Sequence, residues 1–160
     1  MSNEDHRKQE LQTIARYEAT NGAHAGDGWL EGLPLVILTT VGRKSGEPRK
    51  VVLVRCVHDG VYAVVGSGPD PIGGTPKHSQ WYLNIVNDPN VTLRDQDTIY
   101  DAVARTASPE EKAEWWPRVC AVWPDYESYQ ANTTKNIPVV LIEPKLPGRP
   151  AEPANEPATP

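Results

Sequence analysis

Between Thr39 and Arg49 the chain reads TTVGRKSGEPR, which places Arg43, Lys44, Ser45 and Arg49 within seven residues just after an apolar run, Leu35–Leu38. Gly42 and Gly46 allow the backbone to turn with positive φ, so several N–H groups and cationic side chains can converge on one anion. From Thr39 to Arg55 there are five cations (Arg43, Lys44, Arg49, Lys50, Arg55) against Glu47 alone, a local excess of +4 in a chain whose net charge is −5. A confined basic turn on an acidic protein points to a small anionic ligand. Nucleic acid generally requires a broad basic face, and none is present here. The plainer alternative is a solvated hairpin whose cations protect a sheet edge.

Other chemistries find little support. Cys56 and Cys120 show no paired spacing, and the four histidines form no H-x-x-x-H pair. A structural zinc site or a disulfide framework is therefore not expected, and a reducing cytoplasmic setting is. The opening MSNEDHRKQE is charged and lacks the apolar stretch of a signal peptide. Leu33–Leu38 and Val61–Val65, the longest apolar runs, are too short to span a bilayer. Two aromatic groups remain. Trp81 and Tyr82 read first as core packing. Trp123, Tyr126 and Tyr129 recur every third residue, the spacing of a helical core stripe, but Tyr126 and Tyr129 lie in a polar setting, DYESYQANTT.

The elements that must position these residues follow from periodicity and punctuation. Glu4–Thr20 reads as a weakly amphipathic helix, and the glycine-rich stretch Gly22–Gly32 as a loop. Leu35–Val41, Lys50–Val57 and Val61–Ser67 read as strands, the last two joined by a tight turn at His58-Asp59-Gly60. Gly66–Lys77 is a glycine- and proline-rich loop of a length that is usually functional or disordered. Ser79–Asn87 reads as a short helix, and Asn90–Arg94 with Thr98–Arg105 as a hairpin. Ser108-Pro109-Glu110-Glu111 is a helix start with a capping box. A short helix over Tyr126–Thr133 leads to a last strand, Val139–Glu143. Residues 145–160, with prolines throughout and little apolar surface, are expected to be disordered. About six strands with few helices between them predict one α+β domain over residues 1–144, a mainly antiparallel barrel or sheet with peripheral helices. No G-x-G-x-x-G or Walker loop is present, which argues against a Rossmann-type nucleotide site.

Four segments, LPLVILTTVGRKSGEPR, VYAVVGSG, GGTPKHSQWYLNI and VWPDYESYQANTTKNIPVVLIEP, occur in an order that resembles the deazaflavin (F420)-dependent nitroreductase family. That resemblance implies a split β-barrel and coenzyme F420, an 8-hydroxy-5-deazaflavin with a phosphate and a glutamate tail. It assigns the phosphate and tail to Lys44 and Arg49, with Arg43 and Ser45 nearby. Val52, Val65, Ser67, Gly68, Trp81 and Asn84 are implied to line the cofactor, and Trp123, Tyr126 and Tyr129 the substrate pocket. Tyr126 and Ser67 are the implied donors to an acceptor oxygen that gains charge as hydride arrives.

The implied activity is hydride transfer to an electron-poor planar acceptor, such as a quinone, an enone or a nitroaromatic. An FMN-dependent split-barrel enzyme and a non-enzymatic deazaflavin carrier are the alternatives. The expected partners are a small molecule and, as in many split barrels, a second copy of the chain. Neither nucleic acid nor an integral membrane association is expected. The chain departs from the family pattern at Val52, where proline is frequent, and at Arg55, where an aromatic is. It also departs in the loop around residues 70–72, and at Trp123, which replaces a tyrosine.

Overall fold

The computed structural model describes residues 3–24, 32–66 and 78–151, with side chains from residue 7 onward. Four helices and eight strands are found among them. The strands are β1 (Leu35–Val41), β2 (Pro48–Val54), β3 (Cys56–His58), β4 (Val61–Val65), β5 (Asn90–Asp95), β6 (Thr98–Thr106), β7 (Val139–Pro144) and β8 (Arg149–Pro150). The helices are α1 (Asn3–Thr20), α2 (Gln80–Asn87), α3 (Pro109–Val122) and α4 (Asp125–Ala131).

All pairings are antiparallel, in the order β2-β1-β5-β6-β7-β4-β3, with β8 on β6. The two ends of this order, β2 and β3, are neighbours in the chain. Val54 still faces Leu35 of β1, whereas Cys56 faces Ala63 of β4. What the sequence presents as one strand over Lys50–Val57 is thus bent at Arg55 and changes partner there, which curls the sheet into a split barrel. Arg55 suits the bend. Its N–H donates to Pro34 O at 3.0 Å, and its guanidinium reaches Asp95 at 3.5 Å. The expected hairpin at His58-Asp59-Gly60 is present, with Asp59 and Gly60 both at positive φ, the condition for a two-residue turn matched to strand twist.

Alternation along the strands sorts the apolar residues into three clusters. Val36, Leu38, Tyr62, Val64, Leu93, Ala104, Val140 and Ile142 fill the barrel interior, which α2 closes with Trp81 and Ile85. On the outer face, α3 and α4 cover Ala63, Val65, Val139 and Leu141. Elsewhere on the outside, α1 lays Ile14 and Tyr17 on Leu35 and Ile37. The buried Tyr17 hydroxyl donates to Leu35 O at 2.9 Å and accepts from Gln96 N–H at 2.6 Å. The helix also covers the β2 edge: Arg7 donates to Lys50 O and Glu10 accepts from Val52 N–H.

The expected disorder after Pro144 is corrected over its first residues. Lys145 N–H donates to Asp101 O, Ala151 N–H donates to Asp97 O, and Arg149 and Pro150 pair with Ile99 and Thr98. The reason is tertiary. β7 ends opposite Ala102, so the start of β6 lacks a partner on that side until the chain returns to supply one. Residues 152–160 lie outside the described part. Among the described residues, no helix is long and apolar enough to cross a membrane.

Candidate active site

Because every pairing is antiparallel, β1, β4 and β6 run one way and end at one rim of the barrel, where β2, β5 and β7 begin. The basic turn joins β1 to β2 at this rim. Gly42 N–H donates to Glu47 O and Gly46 N–H donates to Gly42 O, both at 2.8 Å, with Gly46 at φ +72°. A Cβ at Gly42 would lie 2.7 Å from Ser45 Oγ, 3.2 Å from Glu47 O and 3.3 Å from Arg49 Cγ, so the turn closes tightly over this glycine, whose φ, against the expectation, is not positive. Ser45 Oγ in turn accepts from Glu47 N–H at 3.1 Å.

The five cations counted in the sequence separate into two groups. Lys50 is paired with Glu18 at 2.6 Å and Arg55 with Asp95. Arg43, Lys44 and Arg49 have no ion pair among the described residues, and Lys44 and Arg49 are exposed. Three uncompensated cations around a glycine turn form a cradle that fits a phosphate-bearing, polyanionic coenzyme, with Arg able to pair bidentately and Lys acting as a point charge.

Asn84 holds this cradle. It is buried in α2, and its Oδ1 accepts from both the backbone N–H and Nη1 of Arg43, each at 3.2 Å. Its Nδ2 donates to Thr40 Oγ1 at 3.1 Å, and Thr40 Oγ1 donates to Arg49 O at 3.4 Å. One amide therefore fixes both sides of the turn. Thr40, almost fully buried, was missed by sequence reasoning, and no local signal marks it.

A second group gathers at the same rim, where β4 ends and β7 begins. Gly66 N–H donates to Pro138 O at 2.9 Å. Val65, Ile137 and Val139 pack with Tyr126 and Trp115, and Trp123 and Tyr129 lie against them. Trp123 caps the end of α3, so the aromatic row spans two helices. Its Nε1–H donates to Tyr129 Oη at 3.2 Å. The Tyr126 ring meets Tyr129 edge-on at 6.1 Å, and its hydroxyl has no hydrogen-bond partner among the described residues. Burial, then the neighbouring Tyr129, raise the Tyr126 phenol above its usual range, so it stays protonated at neutral pH.

Not every expected residue joins these groups. The Trp81 side chain is in the barrel interior, edge-on to Tyr82, as core packing would have it. Val52 packs on α1 and not on the rim. Ser67 and Gly68 lie outside the described residues. A residue the sequence reading left without a role, His78, packs against Tyr82 with ring centroids 4.8 Å apart and planes tilted by 38°, while Tyr82 Oη shares a 2.9 Å hydrogen bond with Thr106 Oγ1. His78 Nδ1 is buried without a partner among the described residues, and burial, then the Lys135 charge, keep the imidazole neutral at pH 7.

A split barrel whose rim combines an uncompensated cationic turn with an aromatic group has the frame of an oxidoreductase that binds a flavin-like, phosphate-bearing cofactor. The chain belongs to the F420H(2)-dependent quinone reductase family, whose profile matches residues 10–144, and coenzyme F420 is its cofactor. A Mycobacterium tuberculosis protein named an F420H(2)-dependent quinone reductase is 27% identical over 136 residues, which are 80% of this chain and 85% of that protein. Among solved structures, an F420-H2 dependent reductase is 40% identical with a TM-score of 0.62, covering 69% of this chain and 94% of its own. Another, described as a domain-swapped dimer, is 36% identical with a TM-score of 0.65, covering 89% of this chain and all of its own.

Proposed function

We propose that this chain reduces quinones with hydride from reduced F420, and that enones and nitroaromatics belong to the same acceptor class. The observation that carries the reading is the cradle: Arg43, Lys44 and Arg49 stand without ion pairs around a glycine turn that Asn84 anchors to α2. Bound F420 would supply two-electron hydride chemistry, since a ring carbon replaces the flavin nitrogen that permits radical steps. Lys44 and Arg49 take the phosphate and the adjoining carboxylate. Arg43, held by Asn84, keeps the turn open toward them.

Trp123, Tyr126 and Tyr129 form an apolar wall that excludes water from the acceptor. The acceptor's oxygen becomes more negative as hydride arrives, and Tyr126, protonated at neutral pH, donates to it. Ser67 is the second donor. No nucleophile or metal is required of the protein. The relative described as a domain-swapped dimer supports a homodimer here as well. The test is turnover of reduced F420 with a panel of one quinone, one enone and one nitroaromatic. We expect the highest kcat/KM on the quinone. No turnover on any of the three, with the coenzyme bound, would make the protein a carrier.

A further inference from the structure

Away from the basic turn, one more half-buried cation lacks a carboxylate. Lys135 lies between α4 and β7, and its ammonium has no ion pair or hydrogen bond among the described residues. Its backbone, by contrast, is tied down. Lys135 O accepts from Gln130 Nε2 at 2.7 Å, and Lys135 N–H donates to Thr133 Oγ1 at 3.2 Å. Gln130 Oε1 accepts from Ile137 N–H at 3.0 Å and from Lys112 Nζ at 2.8 Å. The same Lys112 ammonium donates to Asn136 Oδ1 and Ile137 O, each at 2.7 Å. Lys112 of α3 and Gln130 of α4 thus pin the segment that carries Lys135 and leave its side chain free.

That segment enters β7 at the rim of the barrel. Thr106 faces Val140 of β7, shares the inward register of Ala102 and Ala104, and bonds the hydroxyl of Tyr82, the ring on which His78 packs. The Lys135 charge acts on the His78 imidazole, so the two side chains are neighbours. His78 precedes α2, whose Asn84 anchors the cationic cradle, and Lys135 follows α4, which carries Tyr126 and Tyr129. The pair therefore stands between the cradle and the aromatic wall. His78 Nδ1 is buried without a partner among the described residues. Buried polar atoms are ordinarily satisfied, so an orphan at this rim points to a polar group of a ligand.

We infer that Lys135, with the neutral His78 beside it, is the cationic pole of the acceptor subsite, and that its ammonium takes a quinone oxygen as that oxygen becomes an anion. A quinone has two oxygens, and the Tyr126 hydroxyl can donate to only one of them. Hydride transfer moves two electrons and one hydrogen from the reduced coenzyme to the quinone and leaves an oxyanion. One proton is released from the coenzyme and one is taken from water by that oxyanion, so no further reductant enters. A cation fixed at that oxygen lowers the barrier more than it tightens binding of the neutral quinone. The inference rests on the quinone reading above and deepens it.

The experiment compares the parent, Lys135→Met and Lys135→Arg, each loaded with F420, after thermal melts confirm that all three are folded. One readout is the single-turnover oxidation of bound, reduced F420 by a naphthoquinone. The other is binding of trichlorophenolate, an aromatic oxyanion, and of neutral trichloroanisole to the complex with oxidised F420. Lys135→Met should slow the hydride step and weaken phenolate binding, each roughly tenfold, as for loss of one hydrogen bond to a charged group. Affinity for trichloroanisole and for F420 should stay as in the parent, and Lys135→Arg should restore most of both losses. Unchanged rate and phenolate binding in Lys135→Met overturns the inference and leaves the coenzyme reading standing. Lost F420 affinity, or equal losses for phenolate and anisole, overturns it as well, since Lys135 would then serve the coenzyme or the packing. If the parent binds no F420, or binds it and passes no hydride to the quinone, the reading above fails and the inference with it.

Discussion

Arg49 and Lys44 stand exposed at the basic turn without an ion pair among the described residues, and the proposed function gives them the coenzyme's phosphate. Replacing either by alanine should weaken F420 binding by about 1.5–3 kcal/mol, the range for hydrogen bonds to charged groups. Titration at two salt concentrations checks this, and binding should also weaken as salt rises. Tyr126→Phe keeps the ring in its cluster and removes only the hydroxyl. Turnover should fall by up to about 10²-fold with coenzyme affinity little changed if the donor acts as charge develops. A change in KM alone would show that it orients the ground-state acceptor. The basic turn was legible in the sequence because glycines and cations are adjacent there. Asn84 was legible only through resemblance, which placed it near the ring. Its contact with Arg43 spans 41 residues of sequence, and no local pattern encodes such a pairing.

The elements were read most faithfully where their signals are local. At the start of α3 the capping box is present: Ser108 Oγ accepts from Glu111 N–H at 3.2 Å and Glu111 accepts from Ser108 N–H at 3.0 Å. Arg105 adds two bonds to the Glu111 carboxylate, each 2.7 Å. Ser108→Ala should cost about 1 kcal/mol in chemical denaturation. With Arg105 first and the Ser108 backbone next, the Glu111 carboxyl is lowered from 4.5 to about 2. A carboxyl lowered on folding stabilises above its unfolded value and loses that contribution as pH falls through the folded one. The stability gap between the parent and Glu111→Gln should therefore be full above pH 4.5 and close toward pH 2 in acid denaturation. Elements that depend on distant partners were not legible. The bend at Arg55 divides one apparent strand because its halves pair with β1 and β4, and the two-residue β8 exists only because β6 needs a neighbour.

For the whole molecule, an antiparallel barrel or sheet could be expected from strand count and turn chemistry and the split barrel from the resemblance, whereas the course of the C-terminal segment could not. A chain ending after Pro144 loses the β8 pairing, the Lys145 contacts and the Gly148 packing on Thr98 and Tyr100. It should melt several degrees lower, since about 1 kcal/mol shifts a domain of this size by roughly 2–4 °C. A chain ending after Ala151 should melt with the parent, because residues 152–160 offer almost no apolar surface. The central claim is that the cationic rim of this barrel is built for a deazaflavin bearing phosphate and carboxylates. Its most direct test is one titration in which F420 and FMN compete for the purified protein. The account predicts that F420 binds and that excess FMN fails to displace it, because the phosphate alone satisfies only part of the cradle. Preferential binding of FMN, or equal binding of F420 to the parent and to the Lys44→Ala/Arg49→Ala double variant, would contradict it.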